Sequence, residues 1–124
     1  MSQKFELEYT FNTSPKVLYD RLSTPDGLSE WFADDVFLKG GNYSFVWEGS
    51  EQLAEIVGQK DNKFIRFRWV EEDEEEYFEF KIQKDELTGD LALLITDFAD
   101  SEELEDATEL WNSQIADLKH AIGL

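Results

Sequence analysis

The chain has no cysteine, only two prolines and few basic side chains. Without cysteine there can be no disulfide bonds, zinc–thiolate sites, iron–sulfur clusters or thiol catalysis. Because 11 basic residues face 29 acidic ones, the formal net charge is −18, and nucleic acids and anionic membrane surfaces are both repelled. The longest apolar run covers only residues 91–95, whereas a bilayer-spanning helix needs roughly 20 residues. We therefore expect neither nucleic-acid binding nor membrane insertion.

Aromatic residues are abundant, with ten Phe, four Trp and four Tyr. So heavy an apolar load predicts a folded core despite the charge. A chain of 124 residues is typical of one domain, which buries roughly two-thirds of the surface that the unfolded chain exposes. The first residues alternate polar and apolar side chains instead of forming the continuous apolar stretch of a signal peptide. We expect a single domain over residues 1–124 in the cytoplasm.

Alternating apolar residues predict a first strand over 5–11. Two pairs in which a serine or threonine precedes a proline, Ser14-Pro15 and Thr24-Pro25, follow this strand. A serine or threonine side chain caps free N–H groups at a helix start, and proline suits the first turn. The pairs therefore predict two short helices, over about 15–22 and 25–32. In the first helix we expect Val17, Leu18 and Leu22 to face inward.

Six further strands are predicted between the second helix and the tail, because short runs of apolar and aromatic residues are divided by polar turns. They cover 36–38, 43–47, 53–59, 64–70, 76–84 and 91–98. The tail carries apolar residues at helical spacing over 104–122, including Ala107 and Leu110. We expect Ser101 to cap this helix and Gly123 to end it.

This order of elements predicts an α+β fold in which a seven-stranded antiparallel sheet curves around the long terminal helix. The apolar stripe of that helix must be buried, and the sheet offers one aromatic face to bury it. Curvature of the sheet around the helix leaves a space between them.

Five segments carry a resemblance to a known family, namely 14–19, 24–33, 40–45, 64–69 and 110–119. In their order and spacing the chain resembles the START-like (SRPBCC, Bet v 1-like) superfamily of helix-grip proteins, and within it the branch of activator of Hsp90 ATPase homologues. The resemblance implies a helix-grip fold with a cavity for an apolar or amphipathic, lipid-like small molecule. It also implies two alternatives, a chaperone-associated or other protein-interaction module and a cyclase- or hydrolase-like enzyme.

Aromatic residues on the predicted strands and terminal helix can either line such a cavity or fill the interior as a solid core. Strand parity places Tyr43, Phe45 and Trp47 on one face. We favour a non-enzymatic binding protein with no catalytic residue, metal ion or cofactor. The residues that we predict to line the cavity are Trp31, Tyr43, Phe45, Trp47, Trp69, Phe80, Trp111 and Gln114.

The charged residues have simpler interpretations. Arg66 and Arg68 alternate with Phe67 and Trp69, so they either pair with acids on the outer face, which we favour, or enter the cavity to hold a carboxylate. The acidic run 71–76 lacks the turn glycine and spaced oxygen ligands of a calcium loop and predicts a solvated hairpin tip.

The remaining candidates concern partners. His120, the only histidine, lies near the end of the terminal helix, where a cation is favoured, and it belongs to no readable Ser/His/Asp arrangement. The acidic surface suits a basic protein partner. Apolar residues expected on the outer sheet face, such as Phe64 and Ile65, leave room for a homodimer.

Overall fold

Seven antiparallel strands form one sheet in the computed structural model, which describes residues 2–72 and 75–124. The order in the sheet is β1-β7-β6-β5-β4-β3-β2, so the last strand pairs with the first and the others form a meander. The strands are β1 (Ser2–Phe11), β2 (Asp35–Lys39), β3 (Asn42–Trp47), β4 (Ser50–Lys60), β5 (Phe64–Trp69), β6 (Phe78–Lys84) and β7 (Leu91–Asp100).

Local backbone features bend and connect the sheet. Gly40 and Gly41 form the turn between β2 and β3 with φ of 59° and 85°, a left-handed conformation that suits glycine in tight hairpins. The pairing of β4 with β5 shifts register between Ile56 and Gly58. Such a bulge increases the twist of a strand, which contributes to the curvature that we predicted.

Helices α1 (Pro15–Ser23) and α2 (Pro25–Ser29) follow β1, and their predicted caps are confirmed. The hydroxyl of Ser14 accepts a hydrogen bond from the backbone of Val17 at 3.2 Å, and Thr24 caps α2 in the same way. Val17 itself is 40% exposed, so its predicted inward position is wrong. It lies about 100° around the helix from Leu18, which is buried.

Helix α2 ends at Ser29, earlier than predicted. The backbone N–H groups of Trp31, Phe32 and Ala33 all approach the carbonyl of Leu28, so the chain closes into a tight turn there. This turn directs Trp31 and Phe32 into the interior, where both are buried.

Helix α3 (Leu104–Ile122) crosses the concave face of the sheet. Its N-cap position is Glu103, without a side-chain hydrogen bond, so the predicted cap at Ser101 is wrong. A turn that joins Glu103 N–H to the Asp100 carbonyl at 2.9 Å holds Ser101 outside the helix. Gly123 ends the helix as predicted, with φ of 94°. No helix in residues 2–72 and 75–124 is long and apolar enough to cross a membrane.

The core lies between α3 and the concave face, and strand parity decides which side chains enter it. Ile65 is fully buried on the same side as Phe67, so its predicted outer position is wrong. On the outer face, Arg66 pairs with Glu79 at 2.8 Å and Arg68 pairs with Glu55 at 2.6 Å, as favoured. The predicted α+β helix-grip architecture is confirmed.

Candidate functional site

Aromatic rings fill most of the space between the sheet and α3. Phe45 has no exposed surface, and its ring centroid lies 5.5 Å from that of Trp69 and 5.9 Å from that of Phe67. Phe80 is equally buried and packs edge-on against Trp111 at 5.9 Å. The interior is therefore a packed aromatic core over much of its length.

A cavity of about 370 Å³ remains between the first half of α3 and one end of the sheet. Leu110 lies at its mouth and is 60% exposed. The rings of Phe32 and Trp111 stack at 5.7 Å, and those of Trp47 and Trp69 meet at 5.9 Å. The residues that line the cavity are Phe32, Trp47, Trp69, Phe78, Asp97, Ala107, Leu110, Trp111 and Gln114.

The structure brings half of the predicted lining residues together. Of the eight, the four that line the cavity are Trp47, Trp69, Trp111 and Gln114. Phe45 and Phe80 lie in the packed core instead, because they sit deeper along their strands. The hydroxyl of Tyr43 donates to the Ser23 carbonyl at 2.6 Å, and the ring packs on the core. Trp31 is buried and donates from its ring nitrogen to the Arg21 carbonyl at 2.7 Å.

Trp31 lines a second space, an open groove of about 730 Å³ beside the C-terminal half of α3 that His120 also borders. The carbonyl of Phe32 lies where the groove and the cavity meet, since Phe32, Trp47, Leu110 and Gln114 line both spaces. It accepts hydrogen bonds from the ring nitrogen of Trp47 at 2.8 Å and from Gln114 Nε2 at 3.1 Å. These two hydrogen bonds connect β3 and α3 to the turn after α2.

Five lining residues were not among the predicted eight: Phe32, Phe78, Asp97, Ala107 and Leu110. Phe32 was missed because the early end of α2 could not be read from the sequence. Asp97 carried a usable signal, since it has the same strand parity as Leu93 and Ile95, both fully buried. An acidic residue at an inward position of an apolar strand indicates a functional candidate.

Asp97 is the one charged residue among the described residues that line the cavity. Its Oδ1 accepts from the Phe98 backbone N–H at 2.8 Å, and its Oδ2 accepts from the ring nitrogen of Trp111 at 3.0 Å. Burial raises the pKa of the Asp97 carboxyl. The two hydrogen bonds oppose that rise in pKa, whereas the nearby carboxylates of Glu72 and Glu76 add to it.

The cavity offers a carboxyl group, a carboxamide and aromatic faces. None of the described residues that line it is Ser, Thr, Cys, His or Lys. Of the acidic run 71–76, Asp73 and Glu74 lie outside the described residues, so its predicted hairpin tip is described only in part. Within the described ranges, no three His, Asp or Glu side chains are placed to hold a metal ion.

A family model of the START-like superfamily domain matches residues 1–124. The chain belongs to the START-like superfamily. The resemblance to this superfamily seen in the sequence is therefore confirmed, and with it a fold that commonly binds hydrophobic ligands. No curated protein matches this START-like chain.

Solved structures agree with the START-like assignment. BfR322 from Bacteroides fragilis is 41% identical with a TM-score of 0.70, and the match covers 99% of this chain and 93% of that one. The Aha1 dimer from Colwellia psychrerythraea has a TM-score of 0.81 at 17% identity, covering 98% and 97%. DynU16, a protein of the dynemicin biosynthetic locus, has a TM-score of 0.75 at 11% identity, covering 94% of this chain and 46% of that one. The last two show a shared fold.

Proposed function

We propose that residues 1–124 form one START-like domain that binds an apolar or amphipathic small molecule in the cavity beside α3. The observation that carries this proposal is the unfilled, aromatic-lined space of about 370 Å³. The space opens to solvent beside Leu110, which is 60% exposed, so a ligand can enter it. Ligand pockets typically have volumes of about 300–1,000 Å³.

The lining favours a small ligand with a flat apolar body. Because one water occupies about 30 Å³ in the liquid, the cavity has room for roughly a dozen non-hydrogen atoms. The faces of Trp47, Trp69 and Trp111 suit an aromatic or aliphatic body, while Asp97 and Gln114 supply polar contacts. In a mostly apolar pocket, a small number of polar groups fixes the orientation of the ligand.

A neutral probe of this size, 4-phenyl-1-butanol, tests the proposal through tryptophan fluorescence. We expect a saturable signal from the unmodified protein. Ala107→Phe places a ring inside the cavity and should weaken binding at least tenfold. Ala116→Phe adds the same ring to the exposed side of the same helix and should bind normally. Unchanged binding by Ala107→Phe, or a signal that never saturates, would contradict the proposal.

Native mass spectrometry of protein purified from cells gives a second measurement. We expect a retained small molecule in the unmodified protein and its absence from Ala107→Phe. Retention by both variants would place the molecule outside the cavity and count against the proposal.

A protein-interaction module is the second candidate function. It is supported by the net charge of −18 and by the fold shared with the Aha1 dimer, whose assembly favours a homodimer here as well. Sedimentation velocity, with and without an oligolysine peptide, tests both the homodimer and the binding of a basic partner. We expect salt-sensitive peptide binding that Glu105→Lys with Glu109→Lys, both exposed, weakens. A protein that sediments as a monomer and does not bind the peptide would contradict this candidate function. An enzyme has less support, since Asp97 is the one acid–base group in the described lining.

A further inference from the structure

Asp97 is a partly buried carboxylate that faces an aromatic-lined space. It lies on β7 at the parity of the fully buried Leu93 and Ile95, with its side chain directed to α3. Its two hydrogen bonds come from neutral donors, the backbone of Phe98 and the ring of Trp111. Burial of an ionised carboxylate is unfavourable unless a positive charge compensates it.

No cationic side chain in residues 2–72 and 75–124 pairs with this carboxylate. Among the ion pairs that join residues of the described ranges, none includes Asp97, Glu72 or Glu76. Glu72 and Glu76 instead add negative charge, and burial raises the pKa of Glu72 as well, with a contribution from Glu76. The hydroxyl of Ser2 donates to Glu76 at 3.2 Å, which leaves the negative charge in place.

Aromatic side chains line the same space. Three of the four tryptophans, Trp47, Trp69 and Trp111, line the cavity. The face of an aromatic ring attracts a cation, most strongly in tryptophan, and such cages are used to recognise quaternary ammonium groups. A carboxylate beside tryptophan rings is an environment that fits an organic cation. An organic anion would be repelled by Asp97 and by the net charge.

We infer that the cavity selects hydrophobic organic cations, in which a protonated or quaternary nitrogen is joined to an apolar body. This inference rests on the proposed function of the cavity. The nitrogen would lie against the Asp97 carboxylate, and the apolar body would pack between α3 and the tryptophans. The acceptor lone pairs that Phe98 and Trp111 do not use are available to N–H donors of the ligand.

Three probes with the same phenylbutyl body test the inference on the unmodified protein. At neutral pH we expect 4-phenylbutylamine to bind at least tenfold more tightly than 4-phenyl-1-butanol, and 4-phenylbutyrate to bind least. If the alcohol binds and the amine binds no more tightly, the inference is overturned while the proposed function stands. If none of the three binds, the proposed function falls together with the inference.

A matched pair of variants assigns the preference to Asp97. Asp97→Asn keeps the shape of the side chain and should reduce the affinity for the amine to that for the alcohol. Asp61→Asn removes one charge from the exposed turn between β4 and β5, and should keep the amine preference. Retention of that preference by a folded Asp97→Asn variant would overturn the inference.

A pH titration of the unmodified protein also tests whether Asp97 causes the preference for cations. The quaternary analogue (4-phenylbutyl)trimethylammonium keeps its charge at every pH, so changes in its affinity report on the protein. We expect its affinity to fall at least tenfold as the pH drops below the raised pKa of Asp97, because the carboxylate is then neutralised. Binding of the alcohol should change little. A pH-independent preference for the cation would overturn the inference.

Discussion

The hydrogen bond between Trp111 and Asp97 permits a direct test of the charge in the cavity. Trp111→Phe keeps an aromatic ring but removes the donor that lies 3.0 Å from Oδ2. Asp97→Ala removes the acceptor altogether. Each single variant also changes packing, since Trp111 is buried and stacks on Phe32 at 5.7 Å. A double-mutant cycle separates the hydrogen bond from those packing changes.

The expected coupling free energy between the two substitutions follows from the charge state of Asp97. A hydrogen bond to an ionised group contributes about 1.5–3 kcal/mol to stability, whereas a bond between neutral groups contributes about 0.5–1.5 kcal/mol. At neutral pH the two substitutions should therefore show a coupling free energy of about 1.5–3 kcal/mol. At acid pH, where Asp97 is protonated, the coupling should fall toward the neutral range.

Urea unfolding followed by circular dichroism measures the free energy of unfolding for the four proteins of the cycle. Sites that do not interact usually add within about 0.3–0.5 kcal/mol. A coupling of that size at neutral pH would refute the proposed contact between an ionised Asp97 and Trp111. A coupling free energy that does not change with pH would refute the claim that Asp97 is ionised at neutral pH.

Three further predictions concern packing, titration and capping. Phe45→Ala should lower the free energy of unfolding by about 3–5 kcal/mol in urea unfolding, because it empties a fully buried ring site; a loss below about 1 kcal/mol would contradict the packed core. Because burial raises the pKa of Asp97, its contribution to stability is present at acid pH and is lost as the pH rises through that raised pKa. The stability of Asp97→Asn relative to the unmodified protein should therefore increase with pH up to that value and then level off, and a constant difference in unfolding free energy across the pH series would contradict the shift. Ser14→Ala should cost about 1 kcal/mol and Ser101→Ala close to nothing in thermal unfolding, because Ser14 caps α1 and Ser101 caps no helix; equal losses would contradict the assigned caps.

Much of the fold could be predicted because local chemistry determines it. Alternation of apolar residues placed the strands, and hydroxyl–proline pairs placed the starts of α1 and α2. The outer positions of Arg66 and Arg68 followed from parity and from the cost of burying charge. The end of α2 was not predictable in this way, since it depends on a turn around the Leu28 carbonyl that tertiary packing stabilises.

The candidate site was harder to predict because parity indicates the face of a strand and not the depth along it. Phe45 and Trp47 face the same side of β3, yet Phe45 is in the packed core and Trp47 lines the cavity. The difference depends on where α3 crosses the curved sheet, which no local pattern encodes. Asp97 was overlooked because acidic residues are usually exposed, although its parity indicated an inward position.

A crystal structure with bound 4-phenylbutylamine tests the central claim most directly. We predict the phenyl ring between Trp69 and α3, inside the cavity, and the amine nitrogen within hydrogen-bonding distance of the Asp97 carboxylate. An amine bound elsewhere on the molecule, with the cavity closed by its own aromatic side chains, would contradict the account.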